Sequence, residues 1–109
     1  MRRGDLVLAA AKGDYGKVRP CLVVQSDLLN LTHDSVVVCL VESGFLTGGS
    51  SFRIPVAPSP DNGLHQPSEV MIDKIAAIKV GRVRRTIGRL DDAAMEAVDR
   101  ALLFVLGFA

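Results

Sequence analysis

Arg19 stands directly before Pro20 in the stretch KGDYGKVRPCLVV, Lys12 to Val24. A following proline biases the arginine backbone towards an extended conformation. Held that way, its guanidinium offers a planar fork suited to a phosphate. Glu42 and Ser43 follow the most apolar run of the chain, VVVCLV. A carboxylate at such a rim is placed to serve as a general base. Asp73-Lys74 closes another apolar run in the same manner, and Arg53 and Lys74 could touch phosphates. Plainer accounts stand beside these: a surface salt bridge of Arg19 with Asp14 or Asp27, an ordinary strand exit at Glu42, and solvated charges at Arg53 and Lys74.

Other chemistries lack their residues. The sequence carries no CxxC pair, no HExxH, no Walker loop and no nucleophile elbow. His33 and His65 lie in a connection and a turn-rich loop, where exposed histidine is the simple expectation, so neither a metal nor a cofactor is predicted. The formal charge of +1 does not announce a nucleic-acid partner. Local clustering at Arg82, Arg84, Arg85 and Arg89 could track a nucleic-acid backbone, although arginines on a solvated strand face explain it equally simply.

The elements that must position these side chains are mainly strands. At 109 residues the chain can build one hydrophobic core, so residues 1–109 are expected to form one domain. With four Phe, one Tyr and no Trp, that core must come from Val, Leu, Ile and Ala. Strands are predicted over Asp5–Ala11, Cys21–Gln25 and Val36–Val41, with a helical turn at Ser26–Asn30 capped by Ser26 or Asp27. The unbroken run VVVCLV suggests strands buried on both faces, as in a closed small barrel or at a dimer contact. After a Gly/Ser-rich loop, Phe52–Ala57 reads as an edge strand tolerant of Pro55. Asn62-Gly63 is the sharpest turn signal in Pro58–Ser68. Glu69–Ile72 then leads into a strand, and Ala76–Val80 or Arg84–Gly88 supplies one or two more. Leu90–Leu106 has helical periodicity, with Asp91 as N-cap, Asp92 in the first turn and Gly107 as the stop.

Cys21 and Cys39 sit inside apolar runs and read as buried free thiols rather than a disulfide. Leu6–Ala11 is too short for a secretory core, and no run approaches the roughly 20 apolar residues that span a bilayer. A soluble cytoplasmic protein is therefore expected, with no membrane partner.

Four segments together resemble a known family: RGD (Arg3–Asp5), VRPCLVVQSD (Val18–Asp27), NGLHQPSEVMIDKI (Asn62–Ile75) and IGRLDDAAMEAVDRALLFVLGF (Ile87–Phe108). They resemble the MazF/PemK toxins of bacterial type II toxin–antitoxin systems over nearly the whole chain. The resemblance implies a small SH3-like β-barrel (a MazF/PemK/CcdB-like fold) with a C-terminal helix, acting as a homodimer. It implies a metal-independent endoribonuclease that cuts single-stranded RNA at short sequences, and a cognate antitoxin that lays a flexible segment across the RNA groove. In that chemistry the 2′-hydroxyl attacks the adjacent phosphate, leaving a cyclic phosphate and a 5′-hydroxyl.

Residue by residue, the family's catalytic arginine corresponds to Arg19. A Thr-Ser pair at the end of the third strand reads Glu42-Ser43 here, so the serine carries over and the threonine does not. An Arg and an Asp two residues apart on a later strand, catalytic in some relatives, read Met71 and Asp73. The catalytic set implied is thus Arg19, Ser43, Glu42 and Asp73. The short loop between the first two strands offers Asp14, Tyr15 and Lys17 to RNA, joined by Arg53 and Lys74. Two alternatives follow from the same residues. A catalytically silent relative would keep the groove and the antitoxin contact, and a gyrase-directed toxin would reuse the barrel. The exposed apolar tail expected at Leu103, Phe104 and Phe108 supports a dimer.

Overall fold

A computed structural model describes residues 1–10, 17–44 and 50–109. Its strands are β1 (Asp5–Ala10), β2 (Val18–Val23), β3 (Ser35–Ser43), β4 (Arg53–Val56), β5 (Ser68–Lys79) and β6 (Val83–Arg89). They form one antiparallel sheet in the order β4-β5-β3-β2-β1-β6. A short helix α1 (Asp27–Asn30) joins β2 to β3, and α2 (Asp92–Val105) ends the fold. The hydrogen-bonded ladder is open, with β4 and β6 at its two ends, and fits a small barrel-like architecture.

The unbroken apolar runs have their reason in two cores, one on each face of the sheet. Alternate residues of a strand point to opposite faces. Leu6, Leu22, Cys39 and Val41 pack with Val98 and Ala101 of α2. Their neighbours Val7, Cys21, Val23 and Val38 form the second cluster with Val36 and Ile78. Cys21 and Cys39 therefore lie on adjacent strands but in different cores, which keeps their thiols apart. Neither forms a disulfide, and both are buried. Burial, with a smaller contribution from Cys21, pushes the Cys39 thiol up to about 12 and makes it a spectator.

Three boundaries differ from the sequence reading, and each bears on the site. β2 begins at Val18, so Arg19 and Pro20 are inside a strand rather than ahead of it. Pro20 pairs with Leu8 near the start of that strand, where a missing N–H is tolerated. β3 runs on through Glu42 and Ser43, which pair with Glu69 and Ser68 of β5. β5 is one long strand, whose register against β3 jumps from Cys39–Ile75 to Leu40–Met71. The extra residues Ile72, Asp73 and Lys74 form a bulge, the device by which sheets bend and re-aim side chains.

Helix α2 follows its sequence signals. The Asp91 carboxylate accepts a hydrogen bond from the Ala94 N–H at 2.8 Å. Replacing that cap with Asp91→Ala should cost about 1 kcal/mol. Thermal unfolding should then shift down by roughly 4–8 °C in a domain of this size. Two ion pairs tie the N-terminal segment down: Arg3 to Asp99 of α2 at 2.8 Å, and Arg89 to Asp5 at 2.7 Å. Among the described residues no helix is long and apolar enough to cross a membrane.

Candidate active site

Carrying the β2–β3 register outward from Cys21–Leu40 by two residues brings Arg19 level with Glu42. The two lie with Lys17, Pro20 and Ser43 on the wall of an open groove of about 430 Å³. Adjacent strands thus gather a guanidinium, an ammonium, a carboxylate and a hydroxyl that are far apart in sequence. Lys17 and Ser43 are exposed, while Arg19 and Glu42 are half-buried. Partial burial strengthens a charge's action on a bound phosphate, because less water screens it. Glu42 also lies opposite Glu69 across the β3–β5 pair, and Glu69 is only 1% exposed. Glu42 brings a carboxylate to the groove wall beside the Arg19 guanidinium.

The Asp27 carboxylate, one of the two alternatives raised for Arg19, is engaged with the N-terminal segment and with α1. It accepts from the Arg3 backbone N–H at 2.7 Å and from the Asn30 amide at 2.8 Å. The Arg3 hydrogen bond, with that from Asn30, holds the Asp27 carboxyl below its ordinary range. Asp14 and Tyr15 lie outside the described residues.

Asp73, Arg53 and Lys74 do not line this groove; they form a separate charged cluster on β4 and β5. Arg53 donates to both carboxylate oxygens of Asp73, at 2.8 and 3.0 Å, and its guanidinium lies 5.8 Å from the centre of the Phe52 ring. Lys74 stands 3.6 Å from the same carboxylate. Burial opposes ionisation of Asp73, but the Arg53 hydrogen bond and the nearby cations outweigh it and hold its carboxyl below the usual range. Such a carboxylate is a weak proton acceptor.

The sign of the linkage is fixed by that lowered value. The pair's contribution to stability is complete above the ordinary carboxylate pKa and disappears as pH falls below it, through the folded value. The stability gap between wild type and Asp73→Asn should hold steady from about pH 7 to about pH 5 and close below about pH 4. Urea titrations at each pH measure it.

The arginine stripe is divided in use. Arg89 is structural, bonding Asp5 and the Arg3 carbonyl, and Arg82 reaches the Ala10 carbonyl at 3.4 Å. Arg84 and Arg85 are exposed. Past Pro20 and Ser43 the groove opens into a second hollow bordered by His65, Gln66 and Arg85; of these the sequence pointed only to Arg85, as part of its basic cluster, and to none as members of one pocket. No local signal marks them, because packing of distant segments brings them together. Among the described residues, no three His, Cys, Asp or Glu side chains converge to hold a metal ion.

Solved structures share this architecture. An endoribonuclease in complex with its cognate antitoxin, from mycobacterial species, superposes with a TM-score of 0.85 at 21% identity, covering 100% of this chain and 97% of that one. At that identity the likeness establishes the fold: a small antiparallel sheet closed at its C-terminal end by a helix. Sequence takes the assignment further. The chain belongs to the PemK-like, MazF-like toxins of type II toxin–antitoxin systems, whose family model matches residues 2–106. It is 41% identical over 110 residues to a probable endoribonuclease MazF of Mycolicibacterium smegmatis, covering 100% of this chain and 99% of that relative. It is 26% identical over 106 residues to the endoribonuclease EndoA of Bacillus subtilis, covering 94% and 90%.

Proposed function

We propose that the Arg19 groove cuts single-stranded RNA at short sequences, without a metal ion, as the toxic activity of a type II toxin–antitoxin pair. The observation that carries this reading is the meeting of Lys17, Arg19, Glu42 and Ser43 on one open wall built from β2 and β3. Arg19 binds the scissile phosphate and stabilises the charge that builds on its oxygens. Ser43 donates a hydrogen bond to the same group, and Lys17 draws in the neighbouring backbone. Glu42 takes the proton from the attacking 2′-hydroxyl; as the P–O2′ bond forms the P–O5′ bond breaks, and the departing oxygen takes up a proton from solvent in the open groove. Asp73 sits outside this wall and suits an orienting role through Arg53 better than that of a base.

The products should carry a 5′-hydroxyl on one side and a cyclic phosphate on the other. Incubating purified protein with single-stranded RNA in EDTA tests this: 5′-phosphate ends, or cutting only after a divalent metal is added, would rule the mechanism out. A cognate antitoxin is the expected inhibitor, lying across the groove in the cytoplasm. The apolar tail supports a homodimer, since Leu103, Phe104 and Phe108 are 48%, 55% and 77% exposed in one copy. A monomer at micromolar concentration in sizing experiments would contradict it.

The Glu42 carboxylate on the groove wall favours one second reading. Negative charge at the phosphate-facing wall slows cutting while leaving antitoxin binding intact, giving a silent relative. Growth arrest with intact cellular RNA is the outcome that selects it.

A further inference from the structure

The hollow beside the Arg19 groove is built as a platform. Its volume is about 230 Å³, and it shares Pro20 and Ser43 with the groove. That is below the roughly 300–1,000 Å³ of pockets that take a whole drug-sized ligand, and it suits a single flat group. Leu8, Pro20, Leu64 and Ile87 supply apolar wall, while His65, Gln66 and Arg85 bring polar ends to it. These three are exposed, and their side chains make no hydrogen bond or ion pair among the described residues. Uncommitted donors and acceptors over an apolar floor are what a base-reading pocket needs.

The loop that carries His65 and Gln66 is held rigidly. Buried Asn62 accepts from the N–H groups of Ser59 and Leu64, both at 3.0 Å, and donates to the Ala57 carbonyl at 2.9 Å. Gly63 has φ +70°, and a Cβ there would run into the Ile87 carbonyl. On the facing strand a Cβ at Gly88 would run into the Asn62 backbone. The two main chains therefore touch. The turn and β6 are locked together, and Gln66 after the turn and Arg85 on β6 both line the hollow.

Resting on the ribonuclease reading above, we infer that this hollow seats one nucleobase, flipped out of the strand beside the scissile phosphate, and that Gln66 and Arg85 read its edge in favour of a purine. The edge chemistry supports the choice. An amide side chain matches the paired donor and acceptor of adenine, and a guanidinium matches the two acceptors of guanine. Pyrimidines have no N7 edge, so a pocket that reads this edge favours a purine; their Watson–Crick edges carry comparable patterns, and an all-pyrimidine probe separates the two. Pro20 and Leu64 give the base an apolar surface to lie against. The hollow also meets the catalytic wall at Ser43, so the base it holds belongs to a nucleotide flanking the cut.

Binding and cutting are measured together to test it. The probes are short oligonucleotides in which 2′-deoxyribose blocks cleavage: one all-pyrimidine, the others with a single purine walked along the strand. Fluorescence anisotropy should show about tenfold tighter binding by wild type when the purine occupies one particular position, and Gln66→Ala or Arg85→Ala should erase that preference. Equal affinity for all probes, or a preference unchanged in both variants, overturns the inference. Cleavage of the matching all-ribose strands is followed in parallel. Selective binding without any cutting would sink the ribonuclease reading while leaving the pocket in place, and cutting without selectivity would do the reverse.

Discussion

Arg19→Ala is expected to lower the rate of RNA cleavage by about 10²–10³-fold, the usual loss when one preorganised donor to a developing oxyanion is removed. The groove makes this residue hard to replace. Glu42 lies level with it, so removing the guanidinium leaves a phosphate facing a carboxylate, with Lys17 the remaining cation among the described residues that line the groove. The loss should therefore exceed that from Lys17→Ala, whose exposed ammonium is screened by water. Arg19→Lys should recover only part of the rate, because an ammonium keeps the charge but not the two-pronged fork. Thermal unfolding of each variant separates a lost contact from a lost fold.

Gly63→Ala is expected to be the most destabilising single-methyl change in the turn region, by about 3 kcal/mol or more. A left-handed backbone costs about 1–3 kcal/mol in a residue with a side chain. Forcing a carbon into packed main chain costs a further 1–3 kcal/mol, roughly. The obstacle at Gly63 is the Ile87 carbonyl, part of β6, and it cannot rotate away as a side chain would. A fall in melting temperature of roughly 10–20 °C follows. Gly81→Ala is the control. A Cβ there meets nothing within 4 Å, and the melting temperature should hardly move.

Much of the fold was legible because its signals are local. β-branched runs marked the central strands, Asn62-Gly63 marked a turn, and Asp91 marked the start of α2. Two-sided burial could be read from VVVCLV because a strand with one wet face would have alternated. Boundaries near the site were harder. Pro20 argues against a strand, yet β2 includes it, because the residue falls where the ladder has only begun. Glu42 and Ser43 looked like an exit since charge usually ends a buried strand. Instead their partners on β5 continue the pairing.

The site itself was legible only in part. Arg19, Glu42 and Ser43 were singled out as candidates from their residue types at strand ends and from the family resemblance, and they line one groove. Arg53 was expected to touch RNA and Asp73 to take part in catalysis; the structure pairs the two with each other. That pairing depends on a bulge in β5, which no periodicity announces. His65, Gln66 and Arg85 meet only because segment 59–66 packs on β6, a contact between regions some 20 residues apart in sequence. Long-range convergence of this kind leaves no mark in a one-dimensional pattern.

The most direct measurement of the central claim is made in cells. Wild type and Arg19→Ala are expressed briefly to equal levels, and the 5′ ends of cellular RNA are sequenced. The Arg19 groove predicts new 5′-hydroxyl ends at one recurring short sequence with wild type and almost none with the variant. The same ends from both proteins, or no new ends from wild type, would contradict it.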